Sequence, residues 1–286
     1  MTSATGLEHD ADLPRIVAAL NADGGRAEAV AWDASGVAWD AYDLAVVRSV
    51  WDYSRRLDEF LGWVGGAARA TRLLNPEPVV RWSVDKRYLR DLAGRGVPVV
   101  PTRFVEPGDP CAEEDFVGTG AVVVKPSVSA GARDTARYEP GQYDRAVRHA
   151  RALLDQGRTV MVQPYLRRVE EGERALVFLD GRFSHAIRKG PLLTEPGVID
   201  NARDAHPGVA AYTPSEAELR LAARALAAVP GAGGADPLLY ARVDLALDEA
   251  GEPLVMELEL LEPNLFLGSA PGAVERFAAA VRRIGG

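Results

Sequence analysis

The stretch "YARVDLALDEAGEPLVMELELLEP" (240–263) reads as two β-strands around a turn at 248–253. Strand alternation places Tyr240, Arg242, Asp244 and Ala246 on one face, and Val255, Glu257 and Glu259 on the matching face of the second strand. The opposite faces, with Val243, Leu245 and Leu247 and then Met256, Leu258 and Leu260, are apolar. Three carboxylates and an arginine are thus expected to converge. Carboxylates so placed repel unless something positive lies between them, and hard oxygen ligands suit magnesium. A half-buried sheet with one solvated face has the same pattern, so the hairpin alone decides nothing.

Upstream, "VVVKPSVSAGARDTARY" (122–138) opens as a buried strand, ends on Lys125 and passes into small and polar residues with one glycine, Gly131. Lysine is rarely fully buried without a partner, so this strand end faces either water or an anion. Free backbone N–H groups in such a loop can point at phosphate oxygens. The segment lacks the Gly-Lys-Ser/Thr ending of the Walker loop, and nothing apolar is expected to hold it down. The chain has only three lysines, Lys86, Lys125 and Lys189, which makes each of them conspicuous. "VMVQPYL" (160–166) is a strand whose glutamine and aromatic could meet a base; as a proline-broken strand it serves equally as a linker.

The rest of the chain alternates between helix and strand. Helices are expected over 12–25, 54–69, 84–96 (carrying Lys86), 143–157 and 272–284, and over 215–229, where Ser215 and Glu218 form a capping box. Strands are expected at 27–32, 43–49, 71–76, 121–126 and 159–166, with a hairpin turning at Asp180-Gly181. Strand–helix–strand order over the first 83 residues implies a parallel sheet. "MTSATG" at the start reads as a loop, so the opening strand of that sheet is expected upstream of Met1.

Bulk properties narrow the classes. The 286 residues are 47% hydrophobic and 26% charged, enough for a substantial core. A net charge of −8 without a basic block argues against a nucleic-acid surface, and no apolar run approaches a membrane span, so a soluble cytoplasmic protein is expected. Cys111, in the polar "EPGDPCAEED", is the only cysteine and reads as an exposed loop residue. The four histidines are dispersed without metal-ligand spacing.

Taken in order, the lysine at 86, the strand lysine at 125 with its loop, "QPYL", the Arg188-Lys189 pair and the "RVD…ELE" strands resemble the ATP-grasp superfamily over essentially the whole chain. The resemblance implies an ATP-grasp fold of mixed α/β and α+β class. An N-terminal parallel α/β domain (1–83) would be followed by two α+β lobes (84–162 and 163–286) enclosing the nucleotide. Lys86 and Lys125 would contact phosphates, with Ser127, Ser129, Ala130 and Gly131 in a closing loop over 127–135. Gln163, Tyr165 and Leu166 would hold the adenine and Glu173 the ribose. Arg188, assisted by Arg242 and Lys125, would neutralise phosphoryl charge. Asp244, Glu257 and Glu259 would bind magnesium, as two ions. The family often has Asn where this chain has Glu259, which leaves the third ligand least certain.

"RSVWDYSRRLDEFLGW", "LNPEPVVRWSVDKRYL" and "GRFSHAIRKGP" resemble more narrowly the cycloserine-biosynthesis ATP-grasp ligases, which cyclise O-ureido-serine. That likeness implies ATP and magnesium as cofactors and a small amino-acid-like carboxylate as substrate, with no nucleic acid or membrane partner. Arg48, Ser49, Trp51 and Asp52 follow a strand at its carboxyl end, where open α/β sheets bind ligands, and the substrate carboxylate is expected there, against Arg48 or Arg133. The competing reading makes Trp51 and Tyr53 packing aromatics and pairs Arg48 with Asp52. His185 is expected to be a hydrogen-bonding residue beside the phosphates. A two-substrate ligase of the glutathione-synthetase or peptide-ligase kind, a nucleotide-binding protein without turnover, and a homo-oligomeric state all stay open.

Overall fold

The computed structural model describes residues 1–22, 24–116, 120–231 and 238–285. The chain opens with α1 (Ala4–His9), capped by Ser3, and α2 (Leu13–Ala22), so the helix begins earlier than "MTSATG" suggests. The stretch 27–32 is extended but forms only an isolated bridge, Ala31 to Thr2. Strand β1 (Leu44–Val46), α3 (Leu57–Ala70) and β2 (Arg72–Leu74) follow, β1 and β2 pairing in parallel. Met1 and Thr2 occupy a strand position beside β1: the Met1 amine donates to the Val46 carbonyl (2.7 Å) and the Arg48 N–H to the Met1 carbonyl (2.9 Å). The core of this unit is aromatic, with Trp32, Tyr53 and Phe60 buried together.

Helices α4 (Glu77–Ser83) and α5 (Tyr88–Gly94) come next. Lys86 therefore lies in the turn between two short helices rather than on one helix. A four-stranded antiparallel sheet is built from β3 (Arg103–Val105), β4 (Val122–Pro126), β5 (Ala136–Tyr138) and, after α6 (Tyr143–Leu154), β6 (Val160–Pro164), in the order β3-β6-β4-β5. One face of α6 (Ala146, Val147, Ala150, Leu153) closes the core of this sheet. Cys111 is buried in that core rather than exposed, and burial, ahead of Asp115, raises its thiol pKa.

The third sheet has the order β11-β10-β7-β8-β9, all antiparallel. Its strands are β7 (Glu173–Leu179), β8 (Arg182–Lys189), β9 (Ala210–Tyr212), β10 (Tyr240–Leu247) and β11 (Pro253–Glu259). The β7–β8 turn falls at Asp180-Gly181, both at positive φ (54° and 70°), as a two-residue hairpin turn of the primed type requires. Helix α7 (Glu216–Ala227) starts at the expected capping box, Ser215 accepting from the Glu218 N–H and Glu218 from the Ser215 N–H. It packs with α5 on the face carrying Leu176, Val243, Leu245 and Leu258. On the other face, α8 (Ala273–Gly285) and α2 cover Val177, Leu179 and Tyr240. That cover stops short of Arg242 and Asp244, where the sheet opens into a cleft.

Polar contacts fix the N-terminal unit against this third sheet. Buried Asn75 donates to the carbonyls of Tyr240 and Leu260 (2.9 Å each) and accepts from the Leu239 N–H (2.8 Å). The Tyr240 hydroxyl meets the carbonyls of Val47 (2.5 Å) and Leu261 (2.7 Å). Each bond satisfies a backbone group that burial between the units would otherwise strand. No helix among the described residues is long and apolar enough to cross a membrane.

Candidate active site

The cleft lies between the four-stranded and five-stranded sheets, with Trp51 of the N-terminal unit on its wall. Register brings the hairpin residues together as alternation predicts: Arg242 faces Glu259 and Asp244 faces Glu257. A bulge corrects the rest of the pattern. Leu245 pairs with Val255, so Met256 is the extra residue on β11. Val255 is consequently buried in the core, and Met256 lines the cleft, the reverse of simple alternation.

Four cations converge on these carboxylates. Arg242, 2% exposed, grips Asp244 with Nε and Nη2 (2.8 Å each) and also bonds Glu259. Lys189 Nζ bonds Asp244 (2.8 Å) and forms an ion pair with Glu173. Lys86 Nζ pairs with Glu257 (3.1 Å) and donates to the Ser129 carbonyl (2.7 Å). Lys125 lines the same cleft and has no ion-pair partner among the described residues.

Burial opposes every one of these charges, and the pairing decides the outcome. Asp244 is held far below the usual carboxylate range, burial being outweighed by Arg242 and Lys189. Lys86 is raised despite burial because Glu257 stands beside it. Lys125, which only distant carboxylates oppose, is lowered by burial. Glu259 is pushed up to about 7, first by burial and then, against Arg242, by Asp244 and Glu257. Glu262 goes up to about 8, from burial and then Glu259. The cations in place are therefore not enough to keep every buried carboxyl of the cleft ionised. Carboxylate oxygens are hard donors that suit magnesium, and such a cation would favour their charged forms. As the side chains stand, no three such groups among the described residues converge closely enough to hold one, because Arg242 and the lysines occupy their oxygens.

Of the expected nucleotide residues, Lys86, Lys125, Ser129, Ala130, Gly131, Gln163, Tyr165, Leu166 and Glu173 all line the cleft. Gln163 Nε2 donates to Thr102 Oγ1 (2.8 Å), and the Arg137 guanidinium stacks on the Tyr165 ring at 4.4 Å. The Glu173 carboxylate is pushed up to about 7 by burial, against Lys189 and with Asp244 beside it. Ser127 is buried below the lining, its backbone bonded to Lys86 and Thr159 (2.9 Å each). The loop over 127–135 is not without apolar anchors: Val128 and Ala130 pack against the aromatic core of the N-terminal unit. Asp134 bonds Arg158 (2.7 Å) and Asn201 (2.9 Å), clasping the loop to the 190–206 segment that roofs the cleft.

Several expectations move. Arg188 is exposed and does not line the cleft; Lys189, one residue on and so on the opposite strand face, does. Arg48 is buried beneath the site, donating to the Pro263 carbonyl (3.1 Å) and to Asp10 (3.3 Å). Ser49 is buried against Thr2 and Ser3, and Asp52 accepts from Trp32 and Arg56 outside the cleft. Neither does Arg133 line it. Only Trp51 of that group does, its indole donating to the Glu262 carbonyl (3.2 Å). His185 is buried off the cleft, donating to the Leu265 carbonyl (2.9 Å), which is a structural role. Sequence reasoning passed over Lys189, Met256, Glu262 and Asn264 as site residues. The rarity of lysine signalled the first; Glu262 lies beyond the strand, where alternation no longer applies.

Comparison with known proteins gives a consistent picture. Residues 1–75 match the family described as "D-cycloserine synthetase DcsG, N-terminal domain". The cycloserine biosynthesis protein DcsG of Streptomyces lavendulae is 38% identical, over 98% of this chain and 96% of that protein. A crystal structure of D-cycloserine synthetase DcsG superimposes with a TM-score of 0.91 at 37% identity, covering 100% of this chain and 98% of that one. A D-alanine–D-alanine ligase from Bacillus anthracis complexed with ATP shares the fold (TM-score 0.68) at 14% identity, covering 95% of this chain and 90% of its own. With a relative this similar along nearly its whole length, the chain belongs to the DcsG family of ATP-grasp, ATP-dependent ligases.

Proposed function

We propose that this protein cyclises O-ureido-D-serine to D-cycloserine, consuming ATP and releasing ADP and phosphate. The observation that carries the reading is the convergence of Lys86, Lys125, Lys189 and Arg242 on the carboxylate row of one cleft. Likeness to DcsG over nearly the whole chain supports the choice of substrate.

The substrate carboxylate attacks the γ-phosphorus, ADP leaves, and an acyl phosphate forms. The oxyamine nitrogen of the same molecule then attacks the acyl carbon and expels phosphate, closing the five-membered ring. Water then cleaves the carbamoyl group from that nitrogen, which keeps a proton, and the carbamic acid released breaks down to carbon dioxide and ammonia, leaving D-cycloserine. Transfer of this kind depends on positioning and charge stabilisation more than on covalent help. Lys86 and Lys125 are assigned to the nucleotide phosphates. Lys189 and Arg242 are assigned to the transferring group, Lys189 taking the place expected for Arg188. Gln163, Tyr165 and Leu166 would face the adenine and Glu173 the ribose. Asp244, Glu257 and Glu259 would hold magnesium, which when bound neutralises phosphate charge. The loop over 127–135, clasped by Asp134 to the cleft roof, would keep water from the acyl phosphate. For this cycle the chain divides into an N-terminal unit (1–83), a phosphate-loop lobe (84–162) and a carboxylate-hairpin lobe (163–286).

The test is turnover of purified protein with ATP, magnesium and O-ureido-D-serine. ADP should form together with a cyclic product seen by mass spectrometry. ADP formation that requires a second amino acid would replace this reading with that of a two-substrate ligase.

A further inference from the structure

The substrate end of the cleft carries the opposite charge to the one the sequence suggests. A carboxylate was expected to bind against Arg48, but Arg48 is turned away beneath the site and bonded to Asp10 and the Pro263 carbonyl. What the loop after β1 brings to the cleft is Trp51, and beside it stands Glu262.

Among the described carboxylates that line the cleft, Glu173, Asp244, Glu257 and Glu259 each have an ion-pair partner, and Glu262 has none. Its backbone is fixed by the Trp51 indole (3.2 Å), and the Tyr53 hydroxyl lies against its carboxyl group. Lys86 is the cation nearest in influence, but it is already committed to Glu257 and Ser129. Two ionisable groups without an ion-pair partner among the described residues thus remain in the cleft, Lys125 and Glu262. The first suits a phosphate, and the second calls for a cation. Burial first, and then Glu259 and Glu257 against Lys86, raise the Glu262 carboxyl to about 8. Beside it, the Trp51 ring offers the kind of surface on which an ammonium is favourably placed.

We infer that Glu262, positioned by Trp51 and Tyr53, binds the α-ammonium group of an amino-acid substrate and so selects a free α-amino acid over its deaminated analogue. The inference rests on the proposed ligase function and deepens it. A charge-assisted hydrogen bond of this kind corresponds to a discrimination of roughly 10- to 100-fold.

The experiment compares kcat/KM for O-ureido-D-serine and for 3-(ureidooxy)propanoate, which lacks the amino group, in the wild type and in Glu262→Gln and Glu262→Asp. Wild type should prefer the amino acid by that factor. Glu262→Gln should lose most of the preference through KM for the amino acid, with KM for ATP and the magnesium requirement unchanged, and Glu262→Asp should restore part of it. A Glu262→Gln enzyme that keeps its discrimination while still turning over would overturn the inference and leave the ligase reading intact. A variant whose defect appears in the magnesium dependence instead would show Glu262 to be a metal ligand and equally overturn it. Absence of ATP turnover by the wild type with O-ureido-D-serine would refute the function and the inference together. Equal melting temperatures establish that each variant is folded.

Discussion

Adjacent residues on one strand, Arg188 and Lys189, offer a sharp test of how this site is built. Lys189 is buried and holds Asp244 and Glu173 together, whereas Arg188 faces solvent. In Lys189→Met the two carboxylates lose their shared cation and Asp244 keeps only Arg242. Removing one partner of a buried ion pair costs about 3–5 kcal/mol. With a urea slope of about 3 kcal/mol/M, the unfolding midpoint should fall by about 1 M or more. The loss should also depend on pH. Glu173 already sits at about 7 in the folded protein, above its unfolded value, so its contribution to stability is lost as pH rises through that point. Without Lys189 its folded pKa moves higher still, and the deficit of the variant should widen between pH 6 and pH 8. If Lys189 also faces the transferring phosphoryl group, turnover should fall on the order of 10²- to 10³-fold under conditions where the variant is folded. Arg188→Ala should change neither midpoint nor turnover. Phosphate release at saturating ATP and substrate, with urea melts followed by circular dichroism, reads both quantities. A strongly impaired Arg188→Ala beside a near-normal Lys189→Met would refute the face assignment and the role drawn from it.

Two further predictions concern the hairpin. Because the bulge puts Val255 in the core and Met256 in the cleft, Val255→Ala should destabilise the fold by about 2 kcal/mol and leave KM for ATP unchanged, while Met256→Ala should do the reverse. Equal effects in the two melts would count against the bulge. Glu259, raised to about 7, holds part of a proton at pH 7, and a divalent cation beside it favours its charged form. Magnesium titrated with ADP into the protein at pH 7 should therefore release protons, giving calorimetric enthalpies that differ between phosphate and Tris buffers after correction for ADP itself. Buffer-independent enthalpies would show that this carboxyl is already ionised.

The sequence by itself determined most of the elements and picked out many of the residues that line the cleft. Alternation along β10 set Arg242 and Asp244 on one face, the capping box opened α7, and the Asp180-Gly181 turn placed β7 against β8. These are local rules, in which a residue's neighbours in the chain decide its conformation. The three lysines were conspicuous from composition alone, and all three line the cleft. What only the tertiary structure decided is how charges are shared between elements distant in sequence. Lys189 rather than Arg188 reaches Asp244, 55 residues away, because β8 turns that face inward. Arg48 is spent on the Pro263 carbonyl, 215 residues away, and so cannot serve the substrate. The bulge at Met256 depends on how β11 registers against β10, which alternation within one strand does not contain. The loop after Lys125 looked unanchored because its apolar contacts, Val128 and Ala130, are made with a core assembled from the first 84 residues and Leu261. A buried charge is tolerable only with its partner, and which partner it finds is settled by the packing of the sheets.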